Sequence, residues 1–316
     1  MKKLNKLFSQ NLTGFILGLS LSLTPKLALA TTTETTSQPI NWFQAVILGM
    51  IQGFTEFLPI SSTAHLKAIP VAIGWGDPGV TFTAIIQLGS MVAVIWYFWQ
   101  DLSQITRGMF EAIRRSDYQS LDFRLAMGIG LGTIPICIGG LGLKLFVPDL
   151  DNSPLRSMSA IAIASIVMSL LLALAEKLSQ HKRTYDELTV KDGIWMGIAQ
   201  TLALIPGVSR SGSTITAGLF ANLERSTAAR FSFLLGIPAI TLAGIVELKE
   251  VLIQGVAQSE IVTVVIGVIS SGIFSYLAIA WLIKYLQTKD TWVFVWYRLI
   301  FGIAILIGVV TNFIPN

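Results

Sequence analysis

The sequence is poor in charged residues and in cysteine. Only 13% of its 316 residues are Asp, Glu, Lys or Arg, whereas soluble domains carry about 25%. The single cysteine, Cys137, excludes a disulfide framework and a thiolate metal site. The net charge of +4 is not gathered into a basic surface interleaved with aromatic residues, so the sequence predicts no nucleic-acid partner. These shortages exclude an ordinary soluble domain.

Long apolar stretches take the place of the missing charge. Hydrophobic residues make up 53% of the chain, and several stretches approach the ~20 residues that a helix needs to cross a bilayer. The clearest are 80–99, 124–143, 157–175, 261–283 and 292–310. The short alternating strands of a membrane barrel are absent. The sequence predicts an all-α polytopic membrane protein with about six transmembrane helices and two re-entrant helix pairs.

The first thirty residues differ from the rest. A start with three lysines is followed by a short apolar run, 12–23, and by the small-residue pattern 28-ALA-30. This order predicts a secretory signal peptide over residues 1–30, followed by a polar linker over 31–41. The alternative is an uncleaved extra helix, but the apolar run is short for a span.

The cations of the loops orient the predicted helices. The connections 100–124, 177–191 and 284–289 are rich in Lys and Arg, so the positive-inside rule places them in the cytoplasm. The connections 144–156 and 247–260 carry few cations and are predicted to face outside. With this alternation the chain before residue 80 begins and ends outside, and the C-terminus also ends outside.

Two segments, 42–74 and 193–222, are apolar at first, then broken by proline, then polar. The first contains 49-GMIQGFTEFLPISST-63 and the second 197-GIAQTLALIPGVSRSGST-214. Both have Gly-x-x-Gln, an apolar run, Pro and a Ser/Thr cluster, and helices led by Phe82 and Phe231 follow them. The shared order argues against chance similarity. It predicts inverted membrane repeats, 42–190 and 191–316, within one membrane domain, whose re-entrant pairs build a polar site.

The two broken segments carry the side chains suited to chemistry. Gln52 and Glu56 are four residues apart and share a helix face, and an intramembrane carboxylate is functional by default. In the second segment Arg210 adds five donors in a geometry suited to phosphate. The helix after it offers first-turn N–H groups to an anion. The residues alone leave phosphoryl transfer and anion transport equally open.

Structural interpretations stand beside these. A Ser/Thr cluster at a helix start is usually a cap, which could apply to Ser61, Thr63 or Thr214. Arg298 is predicted to snorkel to the membrane interface. Gln87 is predicted to make a hydrogen bond between helices.

The motifs 52-QGFTEFLPISSTAH-65 and 206-PGVSRSGST-214 resemble those of the undecaprenyl-diphosphatase family, also known as bacitracin-resistance proteins, over roughly residues 42–316. The resemblance implies a multi-pass phosphatase of the bacterial plasma (inner) membrane, with its active site facing the outer side. It would hydrolyse undecaprenyl diphosphate to undecaprenyl phosphate and inorganic phosphate, which recycles the lipid carrier for peptidoglycan synthesis. It also implies a divalent cation, Mg²⁺ or Ca²⁺.

The resemblance assigns roles to individual residues. Ser62 would be the nucleophile or would position water, Glu56 would be the base or a metal ligand, and His65 would be their acid/base partner. Arg210 would stabilise charge in the transition state. Residues expected to contact the diphosphate are Gln52, Ser61, Thr63, Ser209, Ser211 and Thr214. Gln52 stands where many members have Glu, so a metal would rely on Glu56 and substrate oxygens.

Two other functions compete with this interpretation. A transporter or flippase for an anionic lipid or a small anion would fit inverted repeats with a midplane anion site. A lipid phosphatase of the phosphatidic-acid type needs two histidines, and His181 lies in a predicted cytoplasmic loop, which leaves only His65. The sequence leaves the oligomeric state open, with a homodimer as one outcome.

Overall fold

The computed structural model describes residues 40–147, 153–254 and 260–316. Within these ranges the chain forms eleven α-helices and no β-strand. They are α1 (Trp42–Phe57), α2 (Ser62–Ala72), α3 (Val80–Tyr97), α4 (Trp99–Arg115), α5 (Leu121–Phe146), α6 (Met158–Leu178), α7 (Val190–Gln200), α8 (Arg210–Phe220), α9 (Arg225–Gln254), α10 (Ile261–Leu286) and α11 (Trp292–Val310). The predicted signal peptide, 1–30, and most of the predicted linker, 31–41, lie outside the described residues.

Six of the described helices are long and apolar enough to cross a membrane: α3, α5, α6, α9, α10 and α11. The predicted all-α, multi-pass architecture is thereby confirmed. Two boundaries differ from the prediction. The helix expected from Phe231 begins at Arg225, and the connection 100–124 contains the helix α4. Apolar side chains on one face and charges on the other explain why α4 looks like a loop in sequence.

Both predicted broken segments are helix–break–helix units. The first consists of α1 and α2, and the second of α7, a short 3₁₀ turn and α8. Each second helix is capped by a serine in a rare backbone conformation, Ser61 and Ser209, both with φ of 75°. The Oγ of Ser61 accepts a hydrogen bond from the Ala64 N–H, and the Oγ of Ser209 accepts one from the Gly212 N–H. The opposite membrane orientation of the two units stays a prediction.

Small residues let helices of the two halves pack closely against each other. Helix α1 packs against α10, and α7 packs against α5, so the first helix of each half lies on a helix of the other half. A Cβ added at Gly49 would lie 2.5 Å from the Gly267 carbonyl oxygen, and one added at Gly197 would lie 2.0 Å from that of Gly132. Close approach of this kind is how helices associate in lipid.

The largest buried apolar cluster among the described residues lies beside the two breaks. It contains Phe57 at the end of α1 and Phe233 on α9. Their rings meet edge to face, with centroids 5.4 Å apart, a favoured aromatic geometry. The guanidinium carbon of Arg210 lies 6.0 Å from the centre of the Phe57 ring. Apolar side chains of this cluster therefore pack directly against the polar groups of the breaks.

Candidate active site

Glu56 is the centre at which both breaks meet. Its Oε2 accepts a hydrogen bond from the Ser62 hydroxyl at 2.7 Å and one from the Gln52 amide at 3.2 Å. Its Oε1 lies 3.4 Å from Nη2 of Arg210, and the side chains of this ion pair are each 10% exposed. The structure thus brings together the carboxylate and the hydroxyl of the first segment and the arginine of the second.

Arg298 joins the two breaks through their backbones. Its Nη1 donates to the Pro59 carbonyl at 2.9 Å, and its Nη2 donates to the Gly207 and Val208 carbonyls at 2.9 and 3.0 Å. Carbonyls at a helix break have lost their helical partners, so these bonds satisfy buried acceptors. The side chain is 1% exposed, and its predicted snorkelling is wrong.

The signal that could have identified Arg298 was its depth. It lies six residues inside α11 among apolar residues, and an arginine buried in an apolar span needs a partner. The sequence does not name that partner, because the carbonyls that it binds lie in distant parts of the chain.

The Pro206-Gly207 pair shapes the second break. Gly207 has φ of +92°, and a Cβ at this position would lie 2.5 Å from the Ile161 carbonyl oxygen. Only glycine adopts such a conformation without steric cost. The break therefore packs directly against α6 and presents its carbonyls to Arg298.

The remaining hydroxyl residues fall into two groups. Ser61, Thr63 and Ser209 line an opening beside Glu56 and Arg210. Ser211 and Thr214, in contrast, are fully buried and line neither this opening nor the second one, which begins at Gln52 and Ser62. Ser211 donates to the Leu58 carbonyl at 3.0 Å and so ties α8 to the first break. Thr214 donates to the Arg210 carbonyl, as hydroxyls within helices often do.

His65 makes no hydrogen bond to Glu56 or Ser62 in the described part of the chain. Its Nδ1 lies 2.7 Å from the Ser61 carbonyl oxygen, which can only accept, so Nδ1 carries the proton. In the neutral ring Nε2 then accepts from the Tyr297 hydroxyl, 2.6 Å away. The ring also stacks on Phe301, with centroids 4.1 Å apart. Both nitrogens are thus engaged in supporting the Ser61 cap, and the predicted acid/base role of His65 stays a prediction.

Gln52 is held by a cluster of serines. Its amide nitrogen lies 3.5 Å from the Ser90 hydroxyl, which is hydrogen-bonded to Ser271 and Ser275 of α10. Gln87, one turn before Ser90, makes no hydrogen bond to another helix among the described residues and instead lines both openings. The prediction of an interhelical bond for Gln87 is therefore wrong.

Two openings meet at the site and share Ser62, Thr63 and Gln87. One, which we term the aliphatic opening, has a volume of about 180 Å³. Beyond the site residues its walls are Ile136, Ala203, Leu204, Ile205, Ala239, Ile240 and Ala243. The other, the polar opening, has a volume of about 160 Å³. It extends from Gln52 and Ser62 to Lys67, Asp77, Arg156 and Glu247.

The donor set at Glu56 is not a preformed metal cage. Among the described residues no group of three or more His, Cys, Asp or Glu side chains is placed to hold a metal ion. Glu56 offers one carboxylate and Ser62 one neutral oxygen beside it, whereas Gln52 turns its amide nitrogen toward Glu56. This set fits a cation only if a ligand such as a phosphate contributes further oxygens.

Comparisons with known proteins identify the family of the chain. The family model for bacitracin resistance protein BacA matches residues 45–304. A protein of Trichodesmium erythraeum named undecaprenyl-diphosphatase is 63% identical over 280 residues, covering 89% of this chain and 90% of the relative. One of Synechocystis sp. with the same name is 67% identical over 267 residues, covering 84% and 82%. The family-model match includes the motif stretches 49–63 and 197–214, and the chain belongs to the BacA family of bacitracin resistance proteins.

Proposed function

We propose that this chain is a membrane phosphatase that hydrolyses undecaprenyl diphosphate to undecaprenyl phosphate and inorganic phosphate. The observation that carries the proposal is the 2.7 Å hydrogen bond from the Ser62 hydroxyl to the Glu56 carboxylate, beside Arg210. The relatives named undecaprenyl-diphosphatase supply the identity of the lipid. Recycling of this carrier supports peptidoglycan synthesis and accounts for bacitracin resistance in the family.

Glu56 and Ser62 form a base and nucleophile pair. The carboxylate accepts the proton of the Ser62 hydroxyl, or of a water that Ser62 positions, as the oxygen attacks the terminal phosphorus. The bond from that phosphorus to the bridging oxygen breaks, and undecaprenyl phosphate leaves with the bridging oxygen. If Ser62 attacks, Glu56 first passes its proton to the departing phosphate or to water, and a second step then hydrolyses the phosphoserine with Glu56 again accepting a proton.

Arg210 stabilises the charge that develops on the phosphoryl oxygens. Its Nη2 is already beside Glu56, and its Nη1 has no hydrogen-bond partner among the described residues. Nη1 is buried against Gly236, but Arg210 lines the aliphatic opening, where a planar guanidinium matches phosphate geometry. The first turns of α2 and α8 add N–H groups and the positive ends of two helix dipoles.

The aliphatic opening suits the isoprenoid part of the substrate. Both openings are small compared with the 300–1,000 Å³ of pockets that enclose a drug-sized ligand, so the site has room for a headgroup and not for a long chain. The tail would pass between Ile136 of α5 and Ile240 of α9 into the bilayer. An active site on the outer side of the bacterial inner membrane is part of this proposal.

A divalent cation is a further part of the proposal. Glu56 would hold Mg²⁺ or Ca²⁺ together with diphosphate oxygens, where the cation would neutralise phosphate charge. The protein supplies one carboxylate for it, so the metal is expected to bind with the substrate and to exchange freely.

The decisive experiment is phosphate release by the purified protein in detergent micelles. We expect multiple turnovers with undecaprenyl diphosphate and strong inhibition by EDTA that added Mg²⁺ or Ca²⁺ reverses. A transporter or flippase needs two compartments and would release no phosphate in micelles. Absence of turnover, with movement of the intact lipid across vesicles, would establish that alternative instead.

A further inference from the structure

The walls of the two openings impose an orientation on an amphiphilic diphosphate, given the proposed function. The aliphatic opening is lined by Glu56, Arg210, Gln87 and the hydroxyls of the two breaks, and the rest of its wall is apolar. The polar opening begins at the same Ser62 and Thr63 and leads to charged side chains. With the tail in the first opening, the terminal phosphate points toward the second. Hydrolysis then leaves the lipid phosphate on one side and the inorganic phosphate on the other.

The far wall of the polar opening carries two cations. Lys67 lies four residues after Thr63 on α2, so the two side chains share a helix face. The Lys67 ammonium donates to the backbone carbonyl of Arg156, which places it beside the second cation. Arg156 is the last residue of the connection 144–156, which is predicted to face outside. Lys67 and Arg156 thus stand between the reacting centre and the predicted outer surface.

Two carboxylates balance these cations. Asp77 and Glu247 line the same opening, so its net formal charge is zero. An ammonium attracts a phosphate as a point charge on a flexible stem, while the neighbouring carboxylates oppose prolonged binding of the anion. This arrangement therefore favours weak binding and rapid release of an anion.

We propose that the polar opening is the exit for inorganic phosphate and that Lys67 and Arg156 form a transient phosphate site on that path. Water that enters by the same opening supplies the oxygen that the phosphate carries away. The lipid product never takes this path, because its tail holds it in the aliphatic opening. The site therefore binds product phosphate without contributing to recognition of the lipid.

Product inhibition tests this directly. Undecaprenyl phosphate formation is followed by chromatography, because added inorganic phosphate would mask a phosphate assay. We expect Lys67→Met to raise the inhibition constant of phosphate about tenfold, the loss of one charge-assisted hydrogen bond, with an unchanged KM for the lipid. Lys67→Arg should keep the wild-type inhibition. The matched control is Lys249→Met, since Lys249 is exposed and lines neither opening.

Arg156→Gln serves as a second variant, because Lys67→Met also removes a bond between α2 and the 154–156 turn and could misfold. It should raise the same inhibition constant.

Unshifted inhibition in the folded variants would overturn the proposed exit. A parallel rise of KM for the lipid would also overturn it and assign the cations to the substrate headgroup. A wild-type protein that forms no undecaprenyl phosphate would instead sink the proposed function, and the exit with it.

Discussion

The first broken segment, α1 with α2, and the second, α7 with α8, use one backbone pattern for different side chains. An offset of 148 residues carries the capping residue Ser61 onto Ser209, and both have φ of 75°. The next residue is Ser62 in the first segment and Arg210 in the second. The repeated cap therefore fixes the position of the residue that follows it. The identity of that one residue decides whether the position supplies a hydroxyl, as Ser62 does, or a cation, as Arg210 does.

The same offset relates two glutamines in very different surroundings. Gln52 donates to Glu56 and lies near Ser90. Gln200 is fully buried, and neither atom of its amide has a hydrogen-bond partner among the described residues. Four residues on, the first segment has Glu56 where the second has Leu204. The second segment keeps the amide without the carboxylate, so only the first can supply a base.

Removing the carboxylate of Glu56, which only the first segment carries, should have the largest effect on activity. Glu56→Gln keeps the shape of the side chain but cannot accept the Ser62 proton, and we expect phosphate release to fall about 10³-fold. The measurement is turnover of undecaprenyl diphosphate by the folded variant. Glu111→Gln, on the exposed face of α4, is the control. Retention of more than a tenth of the activity would contradict the role of Glu56.

The cation of the second segment is tested by Arg210→Lys. The charge remains but the planar fork is lost, so we expect about a 10²-fold lower kcat, as when a donor to the transition state is removed. Arg107→Lys makes the same exchange at an exposed position of α4 and should be silent. If lysine supported full activity at position 210, a point charge alone would suffice and the proposed need for a planar guanidinium would be wrong.

The junction between the segments is tested by Arg298→Lys. One ammonium cannot reach the carbonyls of both breaks, so at least one buried acceptor loses its donor. We expect the free energy of unfolding to fall by about 2 kcal/mol, with activity reduced in parallel. Thermal unfolding in detergent measures the first, with Arg114→Lys at an exposed site as control. An unchanged midpoint would show that the breaks hold together without Arg298.

The smallest effect on stability is expected at Gln200, whose amide has no hydrogen-bond partner among the described residues. Gln200→Leu removes a buried amide that lacks hydrogen bonds and should raise the free energy of unfolding by about 1 kcal/mol. Activity should remain at the wild-type level, because the second segment supplies no base. Gln52→Leu, its counterpart, should lower activity. A loss of activity in Gln200→Leu would show that the two glutamines are less different than their surroundings indicate.

The spans and the meeting of Glu56, Ser62 and Arg210 could be predicted from the sequence. Both depend on local contrast: a proline and a polar cluster stand out within an apolar stretch, and broken backbone in a membrane must be buried against something. Helix α4 could not be recognised as easily, since its charges are spread over one face of a helix and look like those of a solvated loop.

The partners of His65 and Arg298 could not be predicted. Tyr297 is 232 residues from His65, and Pro59 is 239 residues from Arg298. A single sequence shows that a buried polar side chain needs a hydrogen bond and does not show where in the chain the other atom lies. The interfacial role predicted for Arg298 was wrong for this reason, while the acid/base role of His65 stays a prediction.

The position of Arg298 along the chain has a consequence for biosynthesis. It follows Gly207 by 91 residues, so a growing polypeptide contains both breaks well before the side chain that joins them. Until α11 is inserted, the carbonyls of Pro59 and Gly207 have no guanidinium to bind, and among the described residues only the contacts of Glu56 and Ser211 join the two breaks. Assembly of the reaction centre thus coincides with a late insertion event, and a polypeptide halted before Trp292 would occupy the membrane as an inert precursor.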